Sequence, residues 1–229
     1  MKYEFVGEAK IVAGIAFRQI KALISFGIVT KGELGGWIES EKNLAQVGDA
    51  WISGDAQISG DAWISGDAQI SGDAWISGNA QISGDAWISG NAQISGDAWI
   101  SGDAQISGDA QISGNAWIYG NAQISGDAWI YGDARISGDA RIYGDAWNFS
   151  PLYIQGSFHS LTVSAHGQIT IGCQSHNAEF WLKHGSRVAK ENSFKAEQIK
   201  EYRLLVKLAI AWMKHHGVYA AKEEKAVSK

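Results

Sequence analysis

Residues Gly48-Asp-Ala-Trp-Ile-Ser-Gly-Asp-Ala-Gln-Ile-Ser59 decide the fold. The hexad within them, Gly-[Asp/Asn]-Ala-[Trp/Gln/Arg]-Ile-[Ser/Tyr], runs sixteen times without a slip from Gly48 to Tyr143. A seventeenth copy, Gly144–Phe149, breaks at Asn148, where Ile is expected. Within a hexad, apolar Ala and Ile alternate with variable residues, which is the period of a strand. Ala50 and Ile52 are predicted to point inward, Trp51 and Ser53 outward. The Gly-Asp or Gly-Asn pair turns the chain, because Gly accepts positive φ and Asp or Asn bonds nearby backbone. A helix is excluded: Ile at every sixth position wanders around a 3.6-residue wheel, and a Gly in each hexad destabilises it. The periodicity predicts a solenoid of parallel strands.

The run Ile-x-Gly-Asp-Ala-x over 48–147 resembles the hexapeptide repeat of left-handed β-helices. That resemblance implies an all-β solenoid, a left-handed parallel β-helix of triangular section with three hexads per coil. A second resemblance lies in Phe17-Arg-Gln-Ile-Lys-Ala-Leu23, Lys31-Gly-Glu-Leu-Gly-Gly-Trp-Ile-Glu39 and Asn43-Leu-Ala-Gln46, followed by the array. These stretches are similar to the N-terminal region of YdcK-like proteins of enterobacteria and of phage and prophage proteins with the same array. Ile169-Thr-Ile-Gly-Cys-Gln-Ser-His176 with Glu179-Phe-Trp181 resembles the same phage proteins. Such proteins are often labelled hexapeptide transferases by fold, and fold alone assigns no activity. A two-sided coil of twelve residues is the competing architecture. It would stack Trp51, Trp63, Trp75, Trp87 and Trp99 in one ladder, but the consecutive Gln105 and Gln111 break that phase.

The chain of 229 residues has 28 Gly, 11 Trp and a single Pro. Collagen needs Gly at every third residue and abundant Pro, so it is excluded. A hydrophobic fraction of 45% with a net charge of −5 argues against disorder. One cysteine, Cys173, excludes an intrachain disulfide framework. Met1–Phe17 carries Glu4 and Glu8 inside its apolar stretch, so it does not read as a signal peptide. The apolar run near the C-terminus is short and contains Lys207, which predicts no membrane span. A cytoplasmic protein is expected, with virion association as the variant of that expectation. Charge is segregated: net +1 over residues 1–47, −11 over 48–149 and +5 over 150–229. The acidic array is not expected to bind nucleic acid. The basic C-terminal part suits an acidic partner or another copy's array.

Three regions follow: an N-terminal β cap at 1–47, the β-helix at 48–149 and an α+β C-terminal cap at 150–229. In the first, Tyr3 with Phe5 and Ile15 with Phe17 alternate, and Gly35-Gly36 is read as a turn. In the last, Leu161-Thr-Val-Ser164 and Gln168-Ile-Thr-Ile-Gly172 read as two strands, and about 194–216 as one amphipathic helix. Asn192 or Ser193 would N-cap it, and Gly217 follows its end. Its apolar stripe is Ile199, Tyr202, Val206, Ala209 and Met213, widened by Leu205, Leu208 and Trp212. Covering the β-helix end or docking a sister chain would use this stripe.

The candidate binding surface is the outward Trp set: Trp51, Trp63, Trp75, Trp87, Trp99, Trp117, Trp129 and Trp147. Large exposed apolar patches are rare on soluble monomers and mark interaction sites. With three hexads per coil, Trp51 shares a face with Trp87, Trp63 with Trp99 and Trp117, and Trp75 with Trp129 and Trp147. A protein partner, self-association or stacking on a carbohydrate fits this surface. The corner residues form columns such as Asp49, Asp67, Asp85, Asp103, Asn121 and Asp139. These are read as turn caps relieved by Asn rather than as a calcium column, since the Gly-Gly-x-Gly-x-Asp pattern is missing. No metal is expected.

Hexapeptide acyltransferases, by resemblance, use a histidine base beside an acyl-CoA. The array holds no His and no inserted loop; all six His follow it. His159, His166, Cys173 and His176 are the remaining catalytic candidates, with Cys173 and His176 read as a nucleophile–base pair, half a zinc site or, in preference, a structural motif of the C-terminal cap. The reading is a non-enzymatic structural or binding module without a cofactor. The alternative is a transferase-like enzyme with its acyl-CoA site near the C-terminal cap.

Overall fold

The computed structural model describes residues 1–147 and 149–219. The chain forms two compact units. One comprises Met1–Asp139 with Ala146–Ser150; the other comprises Ala140–Asp145 and the chain from Pro151 onward.

The first unit is the β-solenoid. Each hexad contributes a short strand at its variable residue and Ile, such as Gln57–Ile58, Trp63–Ile64 and Gln69–Ile70. Strands pair in parallel with the strand eighteen residues on: Trp51 with Gln69, Gln57 with Trp75, Trp63 with Gln81. Three hexads therefore make one coil, and the array presents three parallel sheets. The two-sided coil is excluded, since Trp51 lies beside Gln69 and not beside Trp63.

Each hexad donates N–H groups to the next coil. Trp87 N bonds Ala104 O at 2.9 Å, Ser89 N bonds Ile106 O at 2.9 Å, and Asn91 N bonds Gly108 O at 2.9 Å. A proline would delete one of these donors, which accounts for its absence from the array. The Ala and Ile of each hexad are buried throughout, as Ala92 and Ile94 illustrate. At the corners the glycines stack closely. Gly96 has φ +71°, and a Cβ there would stand 2.8 Å from the backbone N and O of Gly114. Both the dihedral and the space demand glycine.

The solenoid begins on a β-meander. Strand β1 (Tyr3–Val12) pairs antiparallel with β2 (Ile15–Ala22) across the two-residue turn Ala13-Gly14. Both turn residues have positive φ, as a tight hairpin requires. Strand β2 pairs with β3 (Leu34–Ile38), and β3 then runs parallel to Gln57–Ile58. The meander thus extends one sheet of the solenoid. Gly35 and Gly36, expected in a turn, lie inside β3. A Cβ at Gly35 would meet Ile20 and Trp51 at 2.6 Å, so these glycines serve close packing.

Three different donors close the first coil, whose alanine carbonyls lack a preceding hexad. Trp37 N bonds Ala56 O at 2.9 Å, Asn43 Nδ2 bonds Ala62 O at 2.9 Å, and Lys2 Nζ bonds Ala50 O at 2.8 Å. Open sheet ends invite further pairing, and this arrangement occupies the acceptors.

The array ends with a slip of one residue. Trp129 pairs with Ala146 and Ile130 with Trp147, seventeen residues on instead of eighteen. Trp147 therefore fills an interior Ile slot and is fully buried. Its expected outward position is corrected: the bulky apolar ring takes the core slot, and Asp145 upstream has φ +61°. The break read at Asn148 itself lies outside the described residues. Arg135 N, a donor with no further hexad above it, bonds Ser150 Oγ at 2.9 Å.

The second unit is α+β. Tyr153–Gln155, Ser160–Ala165, Gln168–Ile171 and Gln174–Asn177 form an antiparallel meander. Two strands expected here are joined by two more. Helix α1 (Ala178–Glu191) follows, N-capped by Asn177, whose Oδ1 accepts from Phe180 N at 2.8 Å. Trp181 Nε1 donates to Ile169 O at 2.7 Å and fixes α1 on the sheet. Helix α2 (Ala196–His215) packs on α1 and on the Ser160–Ala165 strand.

One helix was expected in this region, and there are two. Asn192 does not cap α2; it ends α1, with its side chain donating to Val188 O at 2.8 Å. Ser193 has φ +65° in the connection. The α2 start is closed by Gln198 Oε1, which accepts from Lys195 N at 2.7 Å. Tyr202, Val206, Ala209, Ile210 and Met213 are buried, so the stripe is used within the unit. Leu208, placed on the stripe by its spacing, is exposed. Gly217 follows the helix with φ +70°. Among the described residues no helix is long and apolar enough to cross a membrane.

Candidate interaction surface

The variable slot of each hexad points outward, and pairing sorts these residues onto three faces. One carries Trp51, Gln69, Trp87, Gln105 and Gln123. A second carries Gln57, Trp75, Gln93, Gln111 and Trp129. A third carries Trp63, Gln81, Trp99, Trp117 and Arg135.

The N-terminal meander buries one indole and partly covers a second. Trp51 is only 2% exposed. Phe26 stands edge-on to it at 5.5 Å, and Gly35 lies against its ring. The expectation that Trp51 is an outward binding residue is corrected: its slot faces outward, and the cap covers it. Trp75 is half-buried, with Phe17 edge-on at 6.0 Å. Trp63, Trp87, Trp99, Trp117 and Trp129 remain exposed.

The third face differs from the others. On the first two, Trp residues are separated by Gln. On the third, Trp99 and Trp117 occupy adjacent rungs, with ring centroids 5.3 Å apart and planes at 52°. The cause is legible in the repeat: the consecutive Gln105 and Gln111 delay the next Trp by one hexad, so Trp117 follows Trp99 by one full coil. Next along, the Arg135 guanidinium lies 5.2 Å from the centre of the Trp117 ring, a cation–π contact. Tyr119 is exposed beside the same strand.

Two corner columns border this face. Asp61, Asp97 and Asp133 lie on one side, and Asp67, Asp85, Asp103 and Asp139 on the other, all exposed. Stacked carboxylates at about 4.8 Å repel by ~0.9 kcal/mol even in water. Asparagines interrupt both columns. Asn79 Nδ2 donates to Asp97 Oδ1 at 2.7 Å, Asn115 to Asp133 at 2.9 Å, and Asn121 to Asp139 at 2.9 Å. The face is thus an indole platform between acidic rims, with Arg135 over the rings and Lys42 Nζ bound to Asp61 at 2.5 Å on one rim. Such a platform accepts cations over the rings and apolar groups between them. Among the described residues no cluster of His, Cys, Asp and Glu is placed to hold a metal ion.

The four catalytic candidates fall within the second unit and are only partly brought together. Cys173 follows Gly172 in a tight turn and is exposed. It lines a cavity of about 90 Å³ with His159, Trp181, Phe194 and Tyr202. His176 is elsewhere, stacked on Phe180 at 3.9 Å. The backbone N of His166 donates to Asp145 Oδ2 at 2.6 Å, and its Nδ1 lies 3.9 Å from Oδ1 of the same carboxylate. Among the described residues no hydrogen bond joins Cys173 to a histidine; its sulfur accepts only from Gln174 Nε2, at 3.9 Å. Antiparallel pairing, not sequence proximity, selects His159 as the histidine near Cys173.

Comparison with known proteins bears on the array alone. The YdcK Beta solenoid repeat family model matches residues 56–72, 92–108, 104–120, 110–126 and 134–147. The chain is a repeat β-solenoid protein that resembles YdcK. No curated protein matches it.

Proposed function

We propose that this protein is a non-enzymatic β-solenoid scaffold whose third face, Trp63 to Arg135, binds a partner. The observation that carries the reading is the adjacent, exposed pair Trp99 and Trp117. Gln occupies the same slot as often as Trp, so the solenoid does not require these rings. The chain buries Trp51 and half-covers Trp75 with its own N-terminal meander yet leaves this pair exposed. Indoles are favoured at binding hot spots because they bury a large area at low entropic cost. The left-handed winding and a phage or prophage setting belong to this reading through the sequence resemblance.

The test uses Trp99→Gln/Trp117→Gln, which installs the residue that the repeat itself uses. Sedimentation velocity and Trp emission are recorded for wild type and variant, alone and with soluble chitooligosaccharides and β-glucans. Wild type is expected to associate with itself or with one of the glycans, and the variant to lose that association. If the variant keeps every association of the wild type, or if wild type shows none, the reading is overturned.

A further inference from the structure

A second exposed surface complements the third face in charge, length and apolar content. It is the outward side of α2. Leu204 and Leu208 are 66% and 53% exposed there. Lys200, Arg203, Lys207 and Lys214 are exposed on the same side, since steps of three and four residues return to one helix face. Glu197 lies on this side one turn before Lys200, and Glu201 has its carboxylate engaged by Ser157 N and Oγ. The Ser157 hydroxyl, then its N–H, hold that carboxyl below the usual range. The buried stripe of α2 lies on the opposite side of the helix.

We propose that this side of α2 docks on the Trp63–Arg135 face of a second copy, so that the chain assembles head to tail. The proposal rests on the reading of that face as an interaction surface and names its occupant. Charge favours this pairing over face against face: the solenoid face brings seven carboxylates, one of them held by Lys42, and one guanidinium, while the helix brings four cations against Glu197 and the Ser157-bound Glu201. Length agrees as well. Lys200 to Lys214 spans about 21 Å of helix, and Trp63 to Arg135 spans about 19 Å of stacked strands. Arg135 on Trp117 already displays the contact type, a guanidinium over an indole of this face. Leu204 and Leu208 bring the apolar groups that exposed rings lack.

Because the two surfaces differ, the contact is heterologous and continues from copy to copy unless the ring closes. The experiment is sedimentation velocity over a concentration series with two variants, Trp99→Gln/Trp117→Gln and Leu204→Glu/Leu208→Glu. Circular dichroism confirms the fold of each; Glu on an exposed helix position keeps helical propensity. Wild type is expected to grow beyond dimer with concentration and to shrink as salt is raised. Each variant alone should associate at least about tenfold more weakly. Mixed together, they should form a dimer and stop, since one retains the helix face and the other the indole face. A mixture that stays monomeric overturns the proposal, as does a wild type that is monomeric at every concentration. Should only the Trp variant lose assembly, the indole face stands as an interaction surface and α2 is not its occupant.

Discussion

Replacing Trp51 by Gln and, separately, Trp99 by Gln makes one change in one slot of the repeat, yet the outcomes should differ severalfold. The exposures are 2% and 43%. For a side chain of about 250 Å², that gap is about 100 Å² of additional buried surface, or ~2.5 kcal/mol at 25 cal/mol per Å². Each Trp also loses one ring contact, with Phe26 for Trp51 and with Trp117 for Trp99, of similar size. A glutamine amide under the cap adds a desolvation cost of about 1–3 kcal/mol if it finds no partner. Trp51→Gln should therefore destabilise by about 3–5 kcal/mol and Trp99→Gln by about 1 kcal/mol or less. Urea melts followed by circular dichroism measure both. Amide exchange in the first coil shows whether the loss is local to the cap. Equal losses, or a greater loss for Trp99, would refute the claim that the meander, and not the repeat, decides what each indole does.

Two further outcomes follow from the corners and from the first coil. Gly96→Ala should cost about 2–5 kcal/mol, combining left-handed strain of ~1–2 with overpacking of ~1–3 kcal/mol against Gly114. Gly14→Ala, with φ +80° and open space around it, should cost only the strain, so thermal melts of the two variants should separate. Lys2 is buried, and burial pushes its pKa down to about 8, partly opposed by the Asp49 and Asp67 carboxylates. Between pH 8 and 10.5 the unfolded chain holds this proton and the folded chain does not, so Lys2 makes stability rise with pH there. From pH 8 to 9.5 the gain is ~2 kcal/mol at most. Tyr3, pushed up to about 12 chiefly by burial, acts only above pH 10. Melts at pH 8 and 9.5 should show this rise in wild type and not in Lys2→Met, which should also be destabilised by orphaning Ala50 O.

The solenoid was legible because its determinants are local and repeated. Ile and Ala recur at fixed slots, so the interior follows from one hexad, and the order of Trp and Gln separates the three-hexad coil from its rival. What escaped depended on distant partners. Trp51 is buried by Phe26 and Gly35, which no property of its own hexad announces. Trp147 turns inward because the last coil slips by one residue, a choice between Trp147 and Asn148 as the next core filler. Helix α1 has a short apolar stripe, Trp181, Val188 and Ala189, interrupted by His184 and Gly185. The catalytic candidates show the same limit. Cys173 and His176 are close in sequence, but the strand pairing Leu161 with Ile171 carries His159 to the cysteine instead. The indole face itself was readable, including its Trp99–Trp117 adjacency. Arg135 occupies the same slot one coil beyond Trp117, and that spacing is the signal for its place over the ring.

The pairing at eighteen residues has a consequence for how such a gene changes. Near-identical hexads recombine easily, and gaining or losing one leaves the core unchanged, since every unit supplies the same Ala and Ile. The outer surface is not so tolerant. One extra hexad between Trp99 and Trp117 would rotate every later residue by a third of a turn and send Trp117 to a different face. Only changes in multiples of three units preserve the display. The outward residues therefore form a message with a reading frame, written on a support that does not itself register the frame. Copy-number variants that keep several coils should stay folded, while one out of frame between Trp99 and Trp117 loses the paired indoles.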